Sequence, residues 1–167
     1  MKSKFFHLLI LVLFVNMLLA GCYYSAPPGI DKVQEHFDQN TNEIQVVVGF
    51  LENSEYENVY ITESNGKMFA DLSNERIEDP CVVMAVDYLL ENNKFYTISK
   101  RGNTIHFLQW KGLQDIGCGI AYTINKIDLP QVQYATNMIQ LSDDGWYYYV
   151  ADYELWKTQK IGSGPVS

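Results

Sequence analysis

The residues able to do acid–base or ligand chemistry are few and scattered. Beyond residue 21 the chain has two histidines, His36 and His106, far apart in sequence. His36 precedes Phe37 on a helical pattern and is expected in solvent. His106 alternates with Leu108 and Trp110 and is expected as a surface or hydrogen-bonded strand residue. Carboxylates gather at Asp71, Glu75, Glu78 and Asp79. Such a group can serve acid–base work or a hard cation, but it more often forms a solvated turn with an N-cap. No P-loop, nucleophile elbow, HExxH or Cys/His metal spacing occurs. The chain is therefore expected to be no enzyme and to hold no cofactor and no metal.

Binding chemistry is better represented. Trp146-Tyr147-Tyr148-Tyr149 sends rings to both faces of one strand, because side chains alternate. One face can be core; the other, either Tyr147 and Tyr149 or Trp146 and Tyr148, needs another element or a partner, or stands bare. Two readings stand: core packing by ordinary strand formers, or a recognition surface rich in the ring types that dominate interface cores. On the second, the partner-binding residues are Trp110, Asp143, Asp144, Trp146, Tyr147 and Tyr149.

The N-terminus carries a different signal. Lys2 and Lys4 form a short basic region, and Phe5 to Leu19 is almost wholly apolar. That run is shorter than the roughly 20 residues of a membrane span and suits the apolar core of a signal peptide. It ends in Leu19-Ala20-Gly21-Cys22. This motif resembles the lipobox of bacterial lipoproteins, and the resemblance covers residues 1–22. It implies cleavage of residues 1–21 and a diacylglyceryl thioether on Cys22, usually with an added N-acyl chain such as palmitate. Two or more chains anchor stably where one does not. Asp after the acylated Cys retains enteric-type lipoproteins at the inner membrane; Tyr23 here implies the outer membrane, facing the periplasm, in an organism with two.

Residues 22–29, with Pro27 and Pro28, read as a stiff tether reaching about 20–25 Å. The export implied by the lipobox places Cys81 and Cys118 where disulfides persist. They read first as a bridge, worth roughly 3–4 kcal/mol in the chain-entropy model; the alternative is two buried free thiols. Removing residues 1–21 takes away two of the twelve Lys/Arg residues and no acid, which leaves ten bases against twenty acids, a net −10. That charge argues against nucleic acid and anionic lipid surfaces as ligands and suits a basic protein partner.

The elements that position these residues follow from periodicity. Ile30, Val33, Phe37, Thr41, Ile44, Val47, Val48 and Leu51 recur at steps of three and four, which predicts one long helix. Runs 59–64 and 67–72 flank Asn65-Gly66, a two-residue hairpin signal. Asp79-Pro80 opens a second helix expected to turn Met84, Ala85, Tyr88 and Leu89 inward and to stop near residues 92–93. Strands are expected over 95–100, 104–110, 116–125, 138–141 and 146–152. Hairpins form about Arg101-Gly102-Asn103 and Asp143-Asp144-Gly145. In 116–125, bulky Ile116, Cys118, Ile120 and Tyr122 alternate with Gly117, Gly119 and Ala121, so one face is nearly bare and open to close packing.

The expected fold is α+β: a single domain over 30–160, in the order α-β-β-α-β-β-β-β-β, with two helices on one face of a mostly antiparallel sheet of about seven strands. A frayed tail is expected over 161–167. The mature-domain family is not recognisable from the residues. Two functional classes follow. One is a membrane-anchored module that binds a protein, in the manner of an immunity protein or inhibitor. The other is a structural accessory of the envelope or of a secretion machine.

Overall fold

The computed structural model describes residues 26–91, 94–112 and 115–162. The expected signal peptide, Cys22 and the first part of the expected tether lie outside the described residues. The fold is α+β, as the pattern implied. Among the described residues, helices α1 (Ile30–Gln39), α2 (Thr41–Glu52) and α3 (Pro80–Glu91) and a C-terminal α4 (Tyr153–Gly162) accompany eight strands. These are β1 (Asn58–Ile61), β2 (Lys67–Ala70), β3 (Ser73–Arg76), β4 (Thr97–Arg101), β5 (Thr104–Lys111), β6 (Ile116–Thr123), β7 (Ala135–Ser142) and β8 (Trp146–Asp152). They form one sheet in the order β3-β2-β1-β4-β5-β6-β8-β7, antiparallel at every pairing.

The expected long first helix is two helices, because Asn40 breaks it. Asn40 is buried with φ −120° and ψ 16°, outside the helical region. Its side-chain amide donates to the His36 carbonyl at 2.6 Å, and the Thr41 hydroxyl donates to the Phe37 carbonyl at 2.9 Å. Side chains thus take over carbonyls that the helix would have used.

The second helix starts where Asp79-Pro80 placed it. The Asp79 carboxylate caps the Cys81 amide at 2.8 Å. Its inward face is rotated from expectation, however. Val82, Ala85, Val86 and Leu89 are buried, while Met84 and Tyr88 face solvent. Lys94 lies over the Tyr88 ring, its ammonium 3.0 Å from the centroid.

Two turn readings change as well. Asn65 and Gly66 do take positive φ, 84° and 65°, but β1 ends at Ile61, so the connection is longer than two residues. Asp87 on α3 holds it, accepting from the Asn65 amide at 2.9 Å. The two-residue hairpin with positive φ at both central positions lies instead at Asp71-Leu72, between Ala70 and its partner Ser73. It creates β3, which the sequence reading missed. The C-terminal helix was also missed; its cap is the Asp152 carboxylate, which accepts from the Leu155 amide at 2.9 Å. The domain therefore runs two residues past the expected boundary at 160, and residues 163–167 lie outside the described part.

Helices α1 to α3 cover one face of the sheet. Beneath them Ile44, Val47, Leu51, Ile61, Val86, Leu89, Ile98, Phe107 and Ile120 form a fully enclosed core. The Tyr148 hydroxyl rises from this face to donate to the Pro28 carbonyl at 3.0 Å, which holds Pro28 on the helical side. Helix α4 packs elsewhere: Tyr153 and Trp156 hold the Tyr134 ring edge-on at 4.9 and 5.1 Å.

Candidate binding groove

The face of the sheet that the three helices leave open carries a groove of about 680 Å³, within the usual range for a ligand site. Strand alternation decides what points into it. In β1, Val59 and Ile61 turn to the core and Tyr60 turns out; in β2, Met68 and Ala70 turn in and Phe69 turns out. Tyr60 and Phe69 are directly paired neighbours and are 52% and 45% exposed. Leu72 follows on the β2–β3 turn, 90% exposed at φ 77°. A branched residue in the left-handed region is uncommon and costs roughly 1–2 kcal/mol. The turn is held by the Asp71 carboxylate, which accepts from the Glu57 and Asn58 amides, each at 2.9 Å. Those bonds, with the nearby Lys100 ammonium, hold the Asp71 carboxyl below its usual range.

Across the groove stands a strap, residues 131–134, pinned at both ends. The Gln131 amide donates to Thr104 Oγ1 at 3.0 Å, and the Tyr134 carbonyl accepts from the Asp152 amide at 3.0 Å. Arg101 reaches Gln133 Oε1 at 3.4 Å. The floor between the walls comes from Leu108, Gly117, His106 and Tyr149. The bare side of β6 is thus part of the groove floor. Gly119 lies so close to β5 that a Cβ there would collide with the Phe107 carbonyl.

His106 meets the Tyr149 ring edge-on at 6.0 Å. Burial, helped by the Arg101 charge, pushes its pKa down to about 4, so it is neutral at physiological pH. Burial likewise holds the Tyr149 phenol above its usual value. Ser99 stands directly opposite His106 on the neighbouring strand. No hydrogen bond joins this pair and no carboxylate orients the imidazole among the described residues, so the relay that would activate a serine nucleophile is missing.

Of the six partner-binding residues expected from sequence, Tyr149 alone lines the groove; His106 and Asp71, weighed there for acid–base chemistry, line it too. Tyr147 and Tyr149, like Trp146 and Tyr148, are buried, so the strand is packed on both faces and offers no exposed ring pair. Trp146 is core, with Phe37 at 4.7 Å and Tyr122 at 4.8 Å. Trp110 is half-buried against the same core. Asp143 and Asp144 are exposed on the β7–β8 turn and do not line the groove. The residues missed are Tyr60, Phe69 and Leu72. Their signal was legible: Val59-Tyr60-Ile61 and Met68-Phe69-Ala70 are apolar at every position, not at alternate ones, so both faces of those strands are apolar.

The remaining candidates are structural. Cys81 and Cys118 are both free, so the expected bridge is not formed. Cys118 points into the core from the middle of the sheet, where burial raises its thiol pKa to about 12. Cys81, in the first turn of α3, is exposed. His36 is half-buried and not in open solvent, its Nδ1 enclosed without a hydrogen-bond partner. Asp71 and Asp79 serve turns and caps, and the Glu75 carboxylate accepts from the Ser73 hydroxyl at 2.6 Å. Among the described residues no three His, Cys, Asp or Glu side chains converge on a metal-sized site.

The chain matches no family model, no curated protein sequence and no solved structure.

Proposed function

We propose that this chain is a lipid-anchored domain of a bacterial envelope that captures a partner protein on the open face of its sheet. The anchor reading rests on Leu19-Ala20-Gly21-Cys22 and the apolar run before it. In an organism with two membranes, Tyr23 favours the outer one, with the domain in the periplasm.

The capture reading rests on one observation above all. Tyr60, Phe69 and Leu72 stand exposed side by side at the wall of the groove. Fully burying side chains of this size is worth about 1.5–3 kcal/mol each, so a partner that covers them gains substantially. Aromatic anchors seated in a pocket are where binding energy concentrates. The net charge, −10 once residues 1–21 are removed, steers a basic partner and raises its encounter rate. The neutral, unrelayed His106 supports binding over turnover. The Tyr148–Pro28 bond, on the helical side of the sheet, supports a groove that faces away from Pro28.

The test has two arms. Cells fed an alkyne-bearing palmitate should label the wild-type chain and not Cys22→Ser, and the variant should leave the membrane fraction. Full-length protein purified from membranes should retain a stoichiometric partner that Tyr60→Ala/Phe69→Ala loses without a change in melting temperature. Labelling of Cys22→Ser rejects the anchor, and retention of the partner by the double variant rejects the groove.

A further inference from the structure

The groove does not end at Phe69. A second hollow of about 560 Å³ lies over β2 and β3, and Tyr60 and Phe69 line both. The two hollows meet on those rings. Together they cross β8, β6, β5, β4, β1, β2 and β3, seven neighbouring strands. At about 4.8 Å per strand spacing, the six intervals span about 29 Å.

That shape discriminates among occupants. A compact small molecule fills one hollow and leaves the other in water. A helix is straight and about 10 Å thick, whereas neighbouring strands rotate by about 20–25° each, so the path twists away beneath it. An extended chain bends at every residue and, at about 3.3 Å per residue, needs about eight or nine residues to cover the span.

Charge narrows the choice further. The lining holds both signs in near balance, with Lys67, Arg76, Lys100, Arg101 and Lys111 against Glu63, Asp71, Glu75 and Asp115, so local contacts do not choose the sign of the ligand. The domain as a whole does, because its field attracts basic segments and repels acidic ones and fatty-acid carboxylates. The floor around neutral His106, with Arg101 beside it, disfavours a cation at the centre.

We propose that the two hollows form one trough for an extended segment of a partner protein, lying across the strands with apolar side chains over Tyr60, Phe69 and Leu108 and basic residues at its flanks. The proposal rests on the partner-capture reading and adds the form and chemistry of what is captured.

The experiment pans a displayed library of random twelve-residue peptides against the full-length protein in phosphatidylcholine nanodiscs. Selected peptides should be net basic with apolar centres. Their affinity should fall about tenfold or more in Phe69→Ala and in Tyr60→Ala, while the circular dichroism spectrum and melting temperature hold. One peptide should crosslink to photoreactive groups placed at the Asn74 position and at the Lys111 position, on opposite halves of the trough. Peptides that depend on Phe69 but are acidic, or that crosslink from one half only, overturn this inference and leave partner capture standing. Should no peptide depend on Phe69, both readings fall. Fluorescent palmitate binding that Phe69→Ala abolishes, or self-association that it abolishes, also overturns both.

Discussion

His106 and Tyr149 meet edge to face at 6.0 Å on the floor of the groove, and neither ring is at home there with a charge. For His106 this has a sign that can be worked out. Its folded pKa, about 4, lies below the ordinary value of 6.5. Between those two values the unfolded chain binds a proton that the folded chain refuses. Stability is therefore full above about pH 6.5 and falls as the pH drops toward 4, by roughly 2–3 kcal/mol. Melting curves at pH 7 and pH 4.5 should show this loss, and His106→Gln should flatten the dependence across that window. Parallel pH profiles for the two proteins would contradict the half-buried, neutral imidazole.

Leu72 offers a test of whether strain is kept for function. Its φ of 77° suits glycine, not a branched side chain. Leu72→Gly should therefore leave the fold as stable or raise its stability by up to about 1 kcal/mol, measured by urea denaturation. The same change should weaken partner binding by about fivefold or more, because it removes an exposed apolar wall. A marked loss of stability would show that Leu72 serves the fold and not the groove.

The cysteines should respond very differently to a thiol reagent. Native protein treated with a disulfide-exchange chromophore should react at Cys81 within minutes, while Cys118 waits for unfolding, as burial and a pKa near 12 require. Peptide mapping after alkylation distinguishes the two sites. Finding neither residue alkylated before reduction would restore the bridge that the structure replaces with free thiols.

Asn40 should be costly to replace. Its amide satisfies the His36 carbonyl in a buried position between α1 and α2. Asn40→Leu leaves that carbonyl without its donor and should cost about 1–3 kcal/mol in denaturant titrations. A neutral result would mean that the helix break is set by packing alone.

Much of the fold was legible in the residues because local chemistry there agrees with tertiary packing. Asp79-Pro80 capped a helix as capping chemistry requires, Gly102 and Gly145 turned hairpins, and the Gly117/Gly119/Ala121 side of β6 is closely packed, by Leu108 at Gly117 and by the β5 backbone at Gly119. The failures share a cause. Asn40 lies inside the span that periodicity predicts as one helix, and only its burial against a carbonyl makes it a break. Asp71-Leu72 carries none of the glycine that marks a positive-φ turn, so β3 went unseen. Met84 and Tyr88 fit an inward helical face as well as Val82 and Val86 do, and packing against α2 and the sheet chose between them. The site was misplaced for a related reason. Four consecutive rings at Trp146–Tyr149 outweighed the single rings Tyr60 and Phe69, yet the packing of helices and strap buries the former. Periodicity states which residues share a face, but it does not say which face another element covers.

The central claim is that the open face of the sheet, and not its helical face, meets a partner. The most direct measurement places a photoreactive amino acid at Tyr60 in one strain and at Met84, exposed on α3, in another, with irradiation of living cells. The account predicts a discrete crosslinked protein from the Tyr60 position and none from the Met84 position. Adducts from Met84 with none from Tyr60, or no adduct from either, would contradict it.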